Sequence, residues 1–94
     1  MTNTQHANEN LTVHLKVKDF NAWRAAYNES EKSRQSAGIT NGRVFCSADE
    51  PNEVVILQDV ADVAKARAWF GSDDLKAAMQ KSGVIGSPSI RFAA

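Results

Sequence analysis

His14 is the residue best suited to acid–base chemistry, because an imidazole titrates near neutral pH. It lies in Leu11–Lys18, where apolar and polar residues alternate, and this period of two predicts a strand. If the apolar series faces a helix layer, His14 points to the other side of the sheet and acts as a base there. The alternatives are a partly exposed histidine bonded to its neighbours, or a reversed strand that presents Leu15 instead. The second histidine, His6, precedes the strand.

Two charged residues, Asp59 and Arg91, are candidates to bind the polar end of a small organic molecule. Asp59 follows the aliphatic run Val54–Leu57, and Arg91 alternates with Ile90 and Phe92. If both face the same side as His14, they pair with each other or orient a ligand, since a buried ion needs a partner. A structural salt bridge and a solvated strand end are the alternatives.

Three aromatic residues are candidates for the apolar walls of a ligand site. Phe45 is expected on the same side of the sheet as His14, and Trp69 is expected to close a pocket or pack under a loop at a break between helices. Tyr27 lies on the stripe of the first helix that faces the sheet, with its hydroxyl at the margin of the core. Arg34 lies on the same stripe, and we expect it to extend its charge outward.

The cysteine and acidic residues give no sign of a metal or redox site. Cys46 is the single cysteine, which excludes an internal disulfide and a multi-cysteine zinc site. Its alternation with Val44 predicts a small buried hydrophobe rather than a nucleophile. Asp73 and Asp74 begin a helical turn, where acidic residues favour the helix dipole, so capping explains them. We therefore predict no metal and no cofactor.

The chain order predicted from these patterns is strand, helix, strand, strand, helix, strand. The predicted strands are Leu11–Lys18, Gly42–Ala48, Glu53–Val60 and Ser89–Phe92. The first helix is predicted at Asn21–Ala37 and ends at Gly38. The second begins after Asp62, is interrupted at Gly71, restarts at Ser72 and ends at Gly83, and a loop with Gly86 and Pro88 leads to the last strand. Residues 1–10 are polar and aperiodic and are predicted to be a disordered leader, which leaves residues 11–94 as one domain.

This order predicts an α+β, ferredoxin-like βαββαβ fold, a four-stranded antiparallel sheet with two helices on one face. Right-handed crossovers place both helices on the same side of the sheet. The third strand is aliphatic on both sides, so the uncovered face would carry an apolar patch. A second copy packing sheet against sheet would cover that patch and enclose a cavity, and we therefore expect a homodimer. The alternative is a monomer whose open face is polar enough to remain solvated, because it carries Lys16, Arg43, Ser47 and Arg91.

Composition excludes several classes of partner and location. The 94 residues contain 11 Lys plus Arg and 11 Asp plus Glu, which argues against binding to nucleic acid or anionic lipid. The third strand also lacks the basic and aromatic residues of RNA-recognition sheets. The run Val54–Leu57 is far shorter than the roughly 20 residues of a membrane helix. With no signal-peptide pattern at the N-terminus, a reducing cytoplasmic location is expected.

Several segments resemble the antibiotic-biosynthesis-monooxygenase-like superfamily of dimeric α+β barrel proteins. They are Val17–Trp23, Ala37–Thr40, Ser47–Val54, Lys65–Phe70 and Met79–Val84. The resemblance covers residues 11 to 94 and implies the fold and the dimer more than it implies an activity. Members include cofactor-independent oxygenases of aromatic polyketides, haem-degrading oxygenases and many small proteins with no known reaction.

One further match concerns haem. Trp69–Lys76 resembles the segment of haem-degrading members in which a tryptophan precedes, by ten residues, the histidine that ligates iron. Trp69 occupies the tryptophan position, but the residue ten positions on is Met79. A thioether is a poorer proximal ligand than imidazole, so haem degradation is not expected.

Two functions follow from the sequence. The first is a cytoplasmic homodimer that binds a small, mostly apolar organic ligand between its two sheets, with Phe45, Asp59, Trp69, Arg91 and Tyr27 as candidate contacts. The second is a cofactor-independent monooxygenase, isomerase or cyclase of an aromatic or carbonyl substrate, in which His14 removes a proton and Asp59 or Arg91 orients the substrate.

Overall fold

The computed structural model describes residues 9–93, which form a four-stranded antiparallel sheet with helices packed on one face. The strand order is β2-β3-β1-β4, which is the ferredoxin-like order. The elements are β1 (Glu9–Val17), α1 (Phe20–Glu29), α2 (Glu31–Ser36), β2 (Ile39–Cys46), β3 (Glu53–Val60), α3 (Val63–Phe70), α4 (Asp73–Lys81) and β4 (Val84–Ala93). The predicted fold class is confirmed.

Side-chain caps begin the helices where the sequence predicts them. An Asp19 carboxylate oxygen accepts a hydrogen bond from the Asn21 backbone N–H at 3.2 Å. Asp62 accepts one from the Lys65 N–H at 3.1 Å, and the Ser72 hydroxyl accepts one from the Leu75 N–H at 3.2 Å. A cap of this kind stabilises a helix by about 1 kcal/mol.

The first predicted helix is divided into α1 and α2 at Ser30, so the prediction of one continuous helix is wrong. The Tyr27 carbonyl accepts hydrogen bonds from the Ser30 hydroxyl at 2.9 Å and from Arg34 Nη1 at 2.6 Å. It also accepts one from the Ser30 backbone N–H at 3.2 Å. These nearby donors turn the carbonyl away from regular helical bonding, and the helix axis breaks there.

The sheet is larger than the sequence indicates at both ends of the chain. The strand β1 starts at Glu9, so residues 9 and 10 belong to the sheet and not to a leader; the rest of the predicted leader lies outside the described residues. The strand β4 starts at Val84, where a loop was predicted, because Lys16 and Val17 pair with Ile85 and Val84 beyond a shift in register. This irregularity accommodates Gly86 and Pro88 at the sheet edge.

The core lies between the helices and one face of the two central strands. Leu11, Val13, Leu15 and Val17 are all buried, so β1 has the predicted direction and His14 faces the other side. The inward series of β3, Val54, Ile56, Gln58 and Val60, is buried against the same helices. Trp23 of α1, Ala37, Ile39 of β2 and Ala66 of α3 complete this core.

The opposite face of the sheet is not covered within residues 9–93. Phe45 lies on it as predicted and is 49% exposed, and Ile85 of the outer strand β4 is 48% exposed. Cys46 points to the helix side but is exposed, so the prediction that it is buried is wrong. The reason is that β2 is an edge strand with a single neighbour. No helix in the described part of the chain is long and apolar enough to cross a membrane.

Candidate functional site

The predicted site residues are divided between the two faces of the sheet. His14, Phe45, Asp59 and Arg91 lie on the open face. Tyr27 and Trp69 lie on the helix side, where they line a cavity. The prediction that all of these residues contribute to one cavity between two sheets is therefore wrong, because the sheet itself separates the helix residues from the open face.

Two cross-strand rows span the middle of the open face. One row contains Phe45, Val55, His14 and Ser89, and the other contains Arg43, Leu57, Thr12 and Arg91. Cross-strand neighbours of this kind lie about 5 Å apart at Cβ, so His14 is adjacent to the Val55 side chain. Whether His14 acts as a base remains a prediction, since it needs a ligand or a second copy on this face.

The expected pairing of Asp59 with Arg91 is not present. Asp59 is opposite Asn10 on β1, whereas Arg91 is opposite Thr12 from the other side of that strand. A whole strand therefore separates the two side chains. The Asp59 carboxylate instead accepts a 2.7 Å hydrogen bond from Asn41 Nδ2, which ties β3 to the start of β2.

A half-open cavity of about 100 Å³ lies between the sheet and the two pairs of helices. Its floor is formed by the inward faces of β1 and β3. One wall comes from α1, Ser30 and α2, and the other from α3, α4 and Ser82. The lining residues are Val13, Leu15, Trp23, Ala26, Tyr27, Ser30, Arg34, Ile56, Gln58, Trp69, Phe70, Leu75, Ala78, Met79, Ser82 and Pro88.

Aromatic side chains stand on both walls of this cavity. The rings of Trp23 and Tyr27 are 5.1 Å apart on the first wall, and those of Trp69 and Phe70 are 5.1 Å apart on the second. Trp69 lies where α3 gives way to α4, and its carbonyl accepts a 2.7 Å hydrogen bond from the Ser72 hydroxyl. Two aromatic walls over an aliphatic floor suit a flat, apolar ligand.

The polar groups of the cavity are concentrated around Tyr27. The Arg34 guanidinium carbon lies 3.6 Å from the centre of the Tyr27 ring, which is a close cation–π contact. Arg34 Nη1 also donates to the Ser30 hydroxyl at 2.6 Å. Gln58 Nε2 donates to the Tyr27 hydroxyl at 3.1 Å, so the phenol is held between the helix layer and the sheet.

Arg34 is buried, which contradicts the expectation that it extends into solvent. Only 8% of the residue is exposed, and this burial lowers the pKa of its guanidinium from the usual value. The side chain turns inward because the Tyr27 carbonyl and ring offer it a hydrogen bond and a stacking surface. No residue among those that line the cavity carries a carboxylate.

Arg34, Gln58 and Met79 are among the cavity residues that the predicted site does not include. The sequence carried a signal for two of them. Arg34 falls on the apolar stripe of its helix, and Gln58 falls in the inward series of β3, so each is a polar residue at a buried position. Such residues need a partner, and a shared cavity is one way to supply it. Met79 stands at the position of the iron ligand in the haem-degrading proteins, and it lines the same cavity as Trp69.

Comparison with known proteins gives structural relatives only. No protein-family model and no curated protein sequence matches this chain. A protein from Bordetella bronchiseptica, provisionally named an antibiotic biosynthesis monooxygenase, has a TM-score of 0.75 at 12% identity, over 94% of this chain and 96% of that one. A protein from Nitrosomonas europaea with the same provisional name has a TM-score of 0.69 at 15% identity, over 99% and 94%. A conserved protein from Methanosarcina mazei Go1 has a TM-score of 0.68 at 13% identity, over 94% and 93%.

These likenesses span nearly the whole of each chain. The protein therefore has the antibiotic-biosynthesis-monooxygenase-like fold, and the resemblance seen in the sequence is confirmed at the level of fold. At 12% to 15% identity the comparison carries no information about the reaction or ligand of this chain.

Proposed function

We propose that this protein binds a small, mostly apolar organic ligand in the cavity between its helices and its sheet. The observation that carries the proposal is the composition of the cavity walls. They are aromatic and aliphatic except for the polar side chains around Tyr27 and for Ser82, whose hydroxyl donates to the Met79 carbonyl. An apolar pocket with a few convergent polar groups is the usual form of a small-molecule site.

The volume of the cavity limits how much of a ligand can be enclosed. An engineered apolar cavity of about 150 Å³ in another protein holds benzene. The cavity here, at about 100 Å³, is half-open. It therefore accommodates about one aromatic ring, and the remainder of a larger ligand would extend through the opening.

Binding can be tested by NMR titration of the ¹⁵N-labelled full chain with indole, a neutral aromatic compound. We expect shifts of the Trp23 and Trp69 indole N–H signals, because both rings line the cavity. An Ala26→Phe variant should abolish these shifts by filling the space, since Ala26 also lines the cavity. Ala25→Phe is the matched control, because Ala25 is its exposed neighbour. Absence of shifts in the wild-type protein, or equal shifts in both variants, would contradict the proposal.

Oxygenation, isomerisation or cyclisation of a bound aromatic compound is the second candidate. It is favoured by the provisional names of structural neighbours and by the position of Trp69 in the cavity. His14 does not reach this cavity, and Tyr27 is the group in its lining able to exchange a proton there. In an oxygenation of a hydroxylated aromatic ring, a ring CH and the hydroxyl opposite it would become the two carbonyls of a quinone, with one atom of O₂ in the product and the other in water. Oxygen uptake with a dihydroxynaphthalene should then exceed autoxidation, and the excess should disappear in Ala26→Phe.

We also propose that a second copy of the chain covers the open face, giving a homodimer. The half-exposed Phe45 lies beside the part-buried Val55 and Leu57 of β3, and the half-exposed Ile85 lies on β4, on the far side of β1. Exposed apolar side chains grouped on one face are typical of an interaction surface. The net charge of zero places no strong repulsion between two copies. Within such a dimer, His14, Asp59 and Arg91 would lie between the sheets. A reducing location such as the cytoplasm fits the single, exposed Cys46.

A further inference from the structure

We propose that the ligand of the helix–sheet cavity is an acid, whose carboxylate pairs with Arg34 while its apolar part occupies the aromatic walls. This inference rests on the proposed function and adds the chemical class of the ligand. The residue on which it depends is Arg34, which lines the cavity and is 8% exposed.

The hydrogen-bond donors of Arg34 are only partly used. A guanidinium has five N–H groups, two of them on Nη1. Nη1 donates to the Tyr27 carbonyl and to the Ser30 hydroxyl, both at 2.6 Å. The three N–H groups on Nε and Nη2 have no acceptor among residues 9–93. Buried donors almost always have partners, so these three point to an acceptor that the described part of the chain does not supply.

The charge of Arg34 is likewise uncompensated in the cavity. None of the residues that line the cavity is acidic; burial lowers the pKa of Arg34, and the Glu31 carboxylate acts to raise it but lies exposed on α2, outside the cavity. Arg24 lies 5.6 Å from the centre of the Tyr27 ring but does not line the cavity. A buried cation is costly unless it is paired. A ligand carboxylate entering the cavity would supply both the missing charge and the missing acceptors.

The guanidinium is also held in place before any ligand arrives. It stacks on the Tyr27 ring at 3.6 Å, and the Tyr27 hydroxyl is bonded to Gln58 on the sheet. A fixed planar guanidinium binds a carboxylate through two parallel hydrogen bonds, which an ammonium group does not match. The apolar lining beside it favours an aromatic or branched monocarboxylate over a sugar acid or a phosphate ester.

The test compares two ligands of nearly the same shape, phenylacetate and phenylacetamide, by NMR titration of the full chain. We expect phenylacetate to bind about tenfold or more tightly, as for one charge-assisted hydrogen-bonded pair. Arg34→Gln should remove this preference. Arg24→Gln is the matched control: it removes one positive charge from the same side of the molecule, at a residue that does not line the cavity, and should keep the preference.

The Arg34 Nε–H signal of the wild-type protein provides a reading that does not depend on any variant folding. It should shift on addition of phenylacetate and remain in place with phenylacetamide. Equal affinity of the two compounds, or a preference lost in Arg24→Gln and kept in Arg34→Gln, would overturn the role of Arg34. If indole and phenylacetamide bind and phenylacetate does not, this inference fails and the proposed function stands. If none of the three binds, the proposed function fails.

Discussion

The hydroxyl of Tyr27 lies directly against the backbone of Gly42, where a Cβ atom would collide with the phenol oxygen. Gly42 belongs to a bulge in β2, between the shifted pairs of Thr40 and Arg43, and the preceding Asn41 has a positive φ of 55°. The absence of a side chain at Gly42 therefore lets the phenol reach Gln58. Because Arg34 stacks on the Tyr27 ring, the space at Gly42 also affects the position of Arg34.

Gly42→Ala should destabilise the protein by about 1–3 kcal/mol, because overpacking forces Tyr27 away from its position. It should also weaken the binding of any ligand that contacts Arg34. Urea denaturation measures the first effect, and NMR titration measures the second.

Gly71→Ala is the matched control for this change. A Cβ at Gly71 would make only ordinary contacts, 3.6 Å from the Arg67 carbonyl oxygen, and its φ of −86° suits alanine. We expect Gly71→Ala to be neutral or to stabilise by up to about 1 kcal/mol. Equal loss of stability in the two variants would show that the Tyr27 contact is unimportant.

Each of the two connections that cross the helix layer consists of two short helices instead of one long helix, and the cavity lies between the two points of interruption. Ser30 separates α1 from α2, and Gly71 with Ser72 separates α3 from α4. At each break a serine hydroxyl donates to the carbonyl three residues before it, that of Tyr27 or of Trp69. The breaks thereby place Arg34 and Trp69 on the cavity, so the helix geometry shapes the site.

Ser72→Ala should destabilise the protein by about 1 kcal/mol, because it removes the cap of α4. It should also loosen Trp69, whose carbonyl bonds the same hydroxyl at 2.7 Å. Thermal unfolding and the fluorescence of the two tryptophans provide the measurements. Ser33→Ala is the control, since Ser33 is exposed in the interior of α2 and alanine is a better helix former there. An unchanged midpoint in Ser72→Ala would contradict this account of the break.

At the scale of the whole molecule, the question is what covers the second face of the sheet. Helices cover one face only, and the other carries two side chains, Phe45 and Ile85, that are each about half exposed. Isolated exposed apolar residues are common, but here Phe45 is paired with Val55 on β3, beside Leu57, and Ile85 lies on β4 on the far side of β1. A second copy is the occupant that we propose.

Sedimentation equilibrium at micromolar concentration should give twice the 10.3 kDa mass of the chain. Phe45→Arg should shift the equilibrium to monomer, because it buries an unpaired charge in the patch. Ala77→Arg, on the exposed side of α4, is the control and should stay dimeric. A 10 kDa particle in the wild-type protein, with no self-association, would refute the dimer.

His14→Ala should leave the dimer nearly intact, since a base that serves a ligand contributes little to the interface. If this variant fails to dimerise, His14 is an interface residue and its catalytic role is wrong. The same variant should bind indole in the helix–sheet cavity as the wild-type protein does, because the sheet lies between His14 and that cavity.

Local sequence patterns are sufficient to predict the order of the strands and helical segments, their capping residues and the faces of the strands. These depend on local patterns: the alternation in β1, the capping residues Asp62 and Ser72, and the crossover rule that places both helices on one face. The direction of β1, and with it the exposure of His14, followed correctly from that alternation.

Only the tertiary structure decided where the cavity lies and which residues share it. The sheet divides the predicted site, because Tyr27 and Trp69 come from helices on one face while His14, Asp59 and Arg91 come from the other. The inward turn of Arg34 depends on the Tyr27 carbonyl and ring, and the position of Tyr27 depends on Gly42 and Gln58 from distant strands. Contacts between residues so far apart in the chain have no local pattern, because they arise only when the helix layer packs on the sheet.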